Sequence, residues 1–268
     1  MPAYRLAART APETQRVSAG SATFGDGRFA LIGGPCSVET REQMDEAAEA
    51  VAAAGGAMLR GGAYKPRTSP YDFQGLGDDG IPMLAEAAHQ HGLPVVTEAL
   101  AVEHVAHVAA HAAMIQIGAR NMQNVPLLRA AARTGRPILL KRGPAATLDE
   151  LLCAAEYILV QGNERVVLCE RGIRGFDPQT RNVFDIAGAL RLKELTHLPV
   201  IVDPSHAAGR RSLVEPLVYA AAACGLDGAI VEMHPRPDES LCDAAQAIDC
   251  ATFARIAQRV VSQLAAIA

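Results

Sequence analysis

The sequence predicts an α/β protein of the TIM (β/α)8 barrel kind, on three observations. Short apolar runs recur eight times, an alanine-rich segment with helical apolar spacing follows each, and the pairs fill roughly 240 residues. In order the runs are FALIGG (29–34), AMLRGG (57–62), PVVTEA (94–99), MIQIGA (114–119), PILLKR (137–142), RVVLCE (165–170), PVIVDP (199–204) and GAIVEM (228–233). Unalternating apolar runs suit strands buried on both faces, as parallel strands under helices are. An open doubly wound sheet would use fewer strands and place a GxGxxG fingerprint after the first, and the sequence has none.

The helices follow from spacing and punctuation. EQMDEAAEAVAAAG, IPMLAEAAHQHG, NVPLLRAAARTG and RRSLVEPLVYAAAACG carry helical apolar periods and end in glycine, the residue expected just past a helix C-terminus. The last segment, TFARIAQRVVSQLAAIA, sets Phe253, Ile256, Val260, Val261, Leu264 and Ile267 on one face and closes the eighth pair. Ahead of the barrel, SATFGDGRFA reads as a β-hairpin turning at Gly25-Asp26-Gly27 and plugging the barrel floor. Residues 1–20 read as a flexible tail, and 21–268 as a single catalytic barrel without a separate regulatory domain.

Composition excludes several function classes. The net charge is -4 and the cations are dispersed, which argues against a nucleic-acid or membrane surface. Any anion site is therefore local. Six cysteines without a CxxC pair suit reduced thiols in the cytoplasm, and no apolar run approaches the roughly 18 residues of a membrane span. Only three lysines occur, Lys65, Lys141 and Lys193, so each invites a question.

Chemistry in such barrels sits at the C-terminal ends of the strands. Those ends read Cys36, Arg60, Glu98, Arg120, Lys141, Arg171, then Asp203 and His206, then Glu232 and His234. Two subsets separate. Cys36, His206 and Glu232, with a carboxylate such as Asp243 from the following loop, make a mixed S/N/O set suited to a divalent transition metal. Arg60, Lys65, Arg67, Arg120, Lys141 and Arg171 make a cationic set suited to a substrate with several negative charges. Arg142, Arg174 and Arg211 read as solvated surface residues.

The segments GGPCSVE (33–39), RGGAYKPRTSPYDFQGLG (60–77), IGARNMQN (117–124), LLKRG (139–143), ERGIRGFD (170–177), VDPSHAAGRR (202–211) and VEMHPRPDESLCDAAQAI (231–248) resemble the 3-deoxy-D-arabino-heptulosonate 7-phosphate (DAHP) synthases. The likeness is to their short Iβ branch and runs in order from about residue 28 to 252. It implies a metal-dependent condensation of phosphoenolpyruvate with erythrose 4-phosphate and water, releasing phosphate, at the first step of the shikimate pathway. By motif, Cys36, His206, Glu232 and Asp243 match the ligands of a divalent ion (Mn, Co, Zn or Fe). Arg60, Lys65, Arg120, Lys141 and Arg171 match the phosphoenolpyruvate site, and Arg67 and Thr68 the phosphate of the aldose. Lys65 or Lys141 would donate a proton and Glu98 would orient the water. A cytoplasmic homo-oligomer, dimer or tetramer, is implied as well, without intrinsic feedback by aromatic amino acids.

The chain departs from the family pattern SDGxQS around the last ligand, reading CDAAQA, with Cys242 before Asp243. Three rivals compete. The related 3-deoxy-D-manno-octulosonate 8-phosphate synthases take arabinose 5-phosphate and typically read KANRSS where this chain has Lys65-Pro-Arg-Thr-Ser69. A Schiff-base aldolase would use Lys141 as covalent nucleophile. A catalytically silent barrel would serve only as a binding partner.

Overall fold

The computed structural model describes residues 3–67 and 69–267, with side chains as far as Leu264. A two-stranded antiparallel hairpin, β1 (Val17–Ala19) and β2 (Ala22–Phe24), precedes the barrel. Eight parallel strands follow: β3 (Ala30–Gly33), β4 (Met58–Arg60), β5 (Val95–Glu98), β6 (Met114–Ile117), β7 (Ile138–Lys141), β8 (Val166–Glu170), β9 (Val200–Val202) and β10 (Gly228–Ile230). Each pairs with its neighbour in sequence, and β10 pairs with β3 to close the barrel. All eight predicted runs are strands.

Around the barrel lie α1 (Arg41–Ala53), α2 (Gly80–Gln90), α3 (Val105–His111), α4 (Val125–Arg133), α5 (Leu148–Leu159), α6 (Ile186–Leu195), α7 (Pro204–Ala208), α8 (Arg211–Ala223) and α9 (Cys250–Ile267). Local chemistry fixes their starts. Thr40 accepts the Gln43 N–H at 3.0 Å to cap α1, and Thr147 with Glu150 forms a capping box on α5.

Alternate residues of each strand divide between two cores. Leu31, Leu59, Val95, Ile115, Leu140, Leu168, Val202 and Ala229 pack outward against the helices. Ile32, Met58, Val96, Met114, Leu139, Val167, Ile201 and Ile230 fill the interior together with Val17, Ala19, Ala22 and Phe24 of the hairpin. The hairpin thus plugs the floor. Burying each large side chain there contributes about 1.5–3 kcal/mol.

Three expectations need correction. The hairpin turns at Gly20-Ser21, where Gly20 has φ +62, and Gly25-Asp26-Gly27 instead leads into β3. Where a flexible tail over 1–20 was expected, Tyr4 and Ala7 are buried. The Leu6 and Ala7 N–H groups both donate to the Glu156 carboxylate at 2.9 Å. On α9, Phe253, Ile256 and Val260 are buried, but Val261 is 70% exposed because it sits about 100° round the helix from Val260. Ile267's side chain lies outside the described part.

Candidate active site and metal centre

The period of two that fills the interior also builds the mouth. Two residues beyond the interior tier come Arg60 after Met58, Glu98 after Val96, Gln116 after Met114 and Lys141 after Leu139. Arg171 follows Cys169, Asp203 follows Ile201 and Glu232 follows Ile230 in the same way. On β3 that place is Gly34, and Cys36 comes two residues later. Polar side chains therefore share one end of the barrel.

The four expected metal ligands meet there. Asp243 Oδ2 lies 3.6 Å from Cys36 Sγ and 3.9 Å from His206 Nε2, and His206 Nε2 lies 3.3 Å from Glu232 Oε1. Donors about 2.0–2.3 Å from one tetrahedral ion stand about 3.3–3.8 Å apart; these three separations lie at or near that range, and the mixed S, N and O chemistry suits a divalent metal. The donors fall into two triads that share Asp243, one with Cys36 and Cys242 and the other with His206 and Glu232. Gln246 Nε2 donates to Glu232 Oε2 at 2.6 Å and to Asp243 Oδ2 at 3.4 Å, holding two of the carboxylates in place. Ser205 Oγ accepts the Glu232 N–H at 2.9 Å.

Electrostatics prepares these groups. Burial pushes the Cys36 thiol well above its usual range, with Cys242 and Glu232 adding to the effect and Lys65 opposing it. A bound ion would displace that proton. Burial also pushes Glu232 up, but His206, Arg60 and Lys65 outweigh it and hold the carboxyl well below the ordinary range. Arg60 Nη1 donates to Glu232 at 2.9 Å in a pair that is almost wholly buried. Its Nε is buried without a partner among the described residues.

Asp203 is the hub on the other side. Its Oδ1 caps α7 by accepting the His206 N–H at 3.0 Å, and its Oδ2 stands 2.7 Å from His206 Nδ1. The same Oδ2 accepts from Lys141 Nζ. With Nδ1 as donor, Nε2 is left to face the metal ligands, the usual arrangement behind a metal-bound histidine. Burial would raise Asp203, yet His206 and Lys141 hold it well below the ordinary carboxylate range.

Above this floor lies a cavity of about 240 Å³ lined by Lys65, Arg67, Arg120, Arg171 and Arg181, with His206 and Asp243 at its base. Five cations face two carboxylates, Asp72 and Asp243, which makes the space an anion site. Lys65 Nζ donates to Cys36 O and Sγ, both at 3.0 Å. Burial pulls the Lys65 pKa down, but the Cys36 and Cys242 sulfurs and Glu232 more than reverse it. A larger hollow of about 860 Å³ beside α8 also holds arginines, but its Arg211 and Arg255 are already paired with Asp238 and Glu215.

Not every expected residue joins the cavity. Glu98 stands at the end of β5, accepting from Gln116 Nε2 at 2.9 Å, and it has room only because residue 118 is glycine: a Cβ there would come within 1.9 Å of Oε1. His234 is buried beside Glu39 at 3.7 Å, apart from the metal ligands. Thr68 lies outside the described residues. Arg142 is no surface residue: it is 5% exposed and donates to Glu170 at 2.9 Å and Asp185 at 2.8 Å. The sequence also left Asp203 and Gln246 without roles, although Asp203 sits three residues before His206, the spacing of a helix cap.

These features define a (β/α)8-barrel enzyme with an anion site set beside a candidate metal centre. The match to the DAHP synthetase I family spans residues 10–266, and the chain belongs to that family. The phospho-2-dehydro-3-deoxyheptonate aldolase of Thermotoga maritima is 49% identical over 258 residues, 96% of this chain and 76% of that protein. A crystal structure of that DAHP synthase superposes with a TM-score of 0.96 at 47% identity, covering 100% of this chain and 78% of the other. The 2-dehydro-3-deoxyphosphooctonate aldolase of Nitratidesulfovibrio vulgaris is more distant, 34% identical over 80% of this chain and 84% of its own.

Proposed function

We propose that the protein is a 3-deoxy-7-phosphoheptulonate synthase, joining phosphoenolpyruvate to erythrose 4-phosphate and releasing phosphate. The observation that carries this reading is the cationic cavity seated directly on the S/N/O donor set. Phosphoenolpyruvate bears a carboxylate and a phosphate close together, so several fixed cations must hold it. Arg60, Lys65, Arg120, Lys141 and Arg171 take that part, and Arg60's unpartnered Nε is suited to one of the acid's oxygens. Arg67 and Thr68 take the phosphate of the aldose.

Cys36, His206, Glu232 and Asp243 would hold the divalent ion, which supplies Lewis-acid polarisation of the aldehyde oxygen. The chain's own groups do the rest. Lys65 or Lys141 donates the proton. Glu98 orients the water that attacks the former enol-ester carbon, after which the phosphate leaves with C–O cleavage. Asp203 keeps Lys141 and His206 in place for these steps. Assembly as a dimer or tetramer belongs to the same reading and is open to light scattering.

Phosphate release from phosphoenolpyruvate tests the proposal, run with erythrose 4-phosphate and with arabinose 5-phosphate in parallel. Activity with the first sugar, abolished by EDTA and restored by Mn²⁺, Co²⁺ or Zn²⁺, is expected. Preference for the five-carbon sugar would give the site to the octulosonate reaction instead. The Pro66-Arg67 pair and the higher identity to the heptonate enzyme favour the four-carbon one. Borohydride trapping of substrate on Lys141 would mark the Schiff-base route, and no turnover with either sugar a silent barrel.

A further inference from the structure

We propose that Cys242 is a second thiolate ligand of the metal centre, so that the ion is gripped between two sulfurs. The inference rests on the metal-centre reading above and adds to it a residue that stands where the resembling pattern has serine. Cys242 is 1% exposed, and its Sγ lies 2.9 Å from Cys36 Sγ. Both sulfurs and an Asp243 oxygen fall within 4.8 Å of one another.

Backbone geometry explains how consecutive residues both reach the site. In an extended chain the side chains of 242 and 243 would point to opposite sides. Asp243 has φ 55, and among the described residues it is the one non-glycine in the left-handed region. That turn lets the Cys242 thiol and the Asp243 carboxylate face the same ion, and strain of this kind gathers at functional sites.

The loop is fixed in that shape. Ser240 Oγ donates to the Cys242 carbonyl at 2.8 Å, and Glu39 Oε1 accepts the Leu241 N–H at 3.1 Å and the Ser37 hydroxyl at 2.8 Å. Glu39 thereby ties the Cys36 loop to the Cys242 loop. Cations also face both sulfurs: Lys65 donates to Cys36 Sγ at 3.0 Å and Arg67 to Cys242 Sγ.

Both cysteines are free thiols in the structure. At 2.9 Å the sulfurs stand beyond the roughly 2.0 Å of a disulfide. Two thiolates about 2.3 Å from one ion of higher coordination number stand about 3.3–3.8 Å apart, so a shift of under about 1 Å admits the metal beside the other three ligands. Each thiol gives its proton to solvent as its sulfur–metal bond forms. A second thiolate makes the donor set softer, raising preference for Zn²⁺, Co²⁺ or Cd²⁺ over Mn²⁺.

Co²⁺ titrated into the reduced, metal-free protein tests this by thiolate-to-cobalt charge-transfer absorption in the near ultraviolet. The intensity per bound ion should halve in Cys242→Ser and in Cys36→Ser and vanish in the double variant. In Cys242→Ser the affinity for Cd²⁺ should fall about tenfold or more relative to that for Mn²⁺. Cys242→Ala serves as a second variant, with circular dichroism to establish folding. An unchanged band and an unchanged Cd²⁺/Mn²⁺ ratio in folded Cys242 variants would overturn the proposal while leaving the metal centre standing. A Cys36–Cys242 disulfide in the purified protein that keeps Co²⁺ out until reduced, followed by a one-thiolate band, would overturn it too. Failure of the wild type to bind Co²⁺ would remove the metal-centre reading itself.

Discussion

The floor and the mouth of the barrel are built from the same strands with the same alternation, two residues apart, and they obey opposite physics. At the floor, Met58, Val96, Leu139 and Ile201 meet the hairpin in a dry apolar tier. At the mouth, Arg60, Glu98, Lys141 and Asp203 are held by hydrogen bonds and ion pairs. Buried ion pairs are weak sources of stability, because desolvation offsets most of their attraction. The floor therefore stabilises the fold, while the mouth spends its order on chemistry.

Substitutions at the two ends should separate these roles. Lys141→Met should have the largest effect, lowering kcat/KM by about 10⁴-fold, since on the proposed reading it removes an anion contact and a candidate proton donor. Phosphate-release kinetics would show it, and less than a tenfold loss would take Lys141 out of the chemistry. At the floor, Phe24→Ala should cost about 3–4 kcal/mol in chemical denaturation, with kcat nearly unchanged below the melting point. A large fall in kcat of the folded variant would dissolve the division between the two ends.

Smaller effects sharpen it. Arg120 is exposed at the mouth, so Arg120→Ala should raise the KM for phosphoenolpyruvate about tenfold without moving Tm. Glu156→Ala, below the barrel, should lower stability by about 1 kcal/mol through loss of its hold on residues 6 and 7 and leave kinetics alone. Glu215, on the outer shell, provides a pH control. Its hydrogen bonds to Arg255 pull its carboxyl from 4.5 to about 2, with burial opposing and Tyr219 assisting. Its stabilisation is complete above about pH 4.5 and is lost as pH falls through about 2. Thermal melts of Glu215→Gln should accordingly lose a small part of the acid dependence in that window.

The barrel was legible because eight buried strands leave eight apolar runs, and the mouth because the fold fixes which strand ends carry chemistry. Hairpin register was not. Gly20-Ser21 and Gly25-Asp26-Gly27 both carry turn chemistry, and the choice is made by burial of Val17 and Phe24 against residues far along the chain. Arg142 was misjudged for a related reason. Lys141 points inward, so its neighbour points to the helix layer, where Glu170 and Asp185 wait 28 and 43 residues away. Residues 3–16 carry no strong periodicity, and their packing depends on acceptors such as Glu156 and the Leu195 carbonyl.

Asp203 Oδ2 accepts from Lys141 and faces His206 Nδ1 at once. On the proposed reading, one oxygen atom therefore touches a cation of the anion site and a ligand of the metal site together, and the two sites share a boundary at that atom. Linkage makes any coupling across it symmetrical: the factor by which bound metal changes phosphoenolpyruvate affinity equals the factor by which bound phosphoenolpyruvate changes metal affinity.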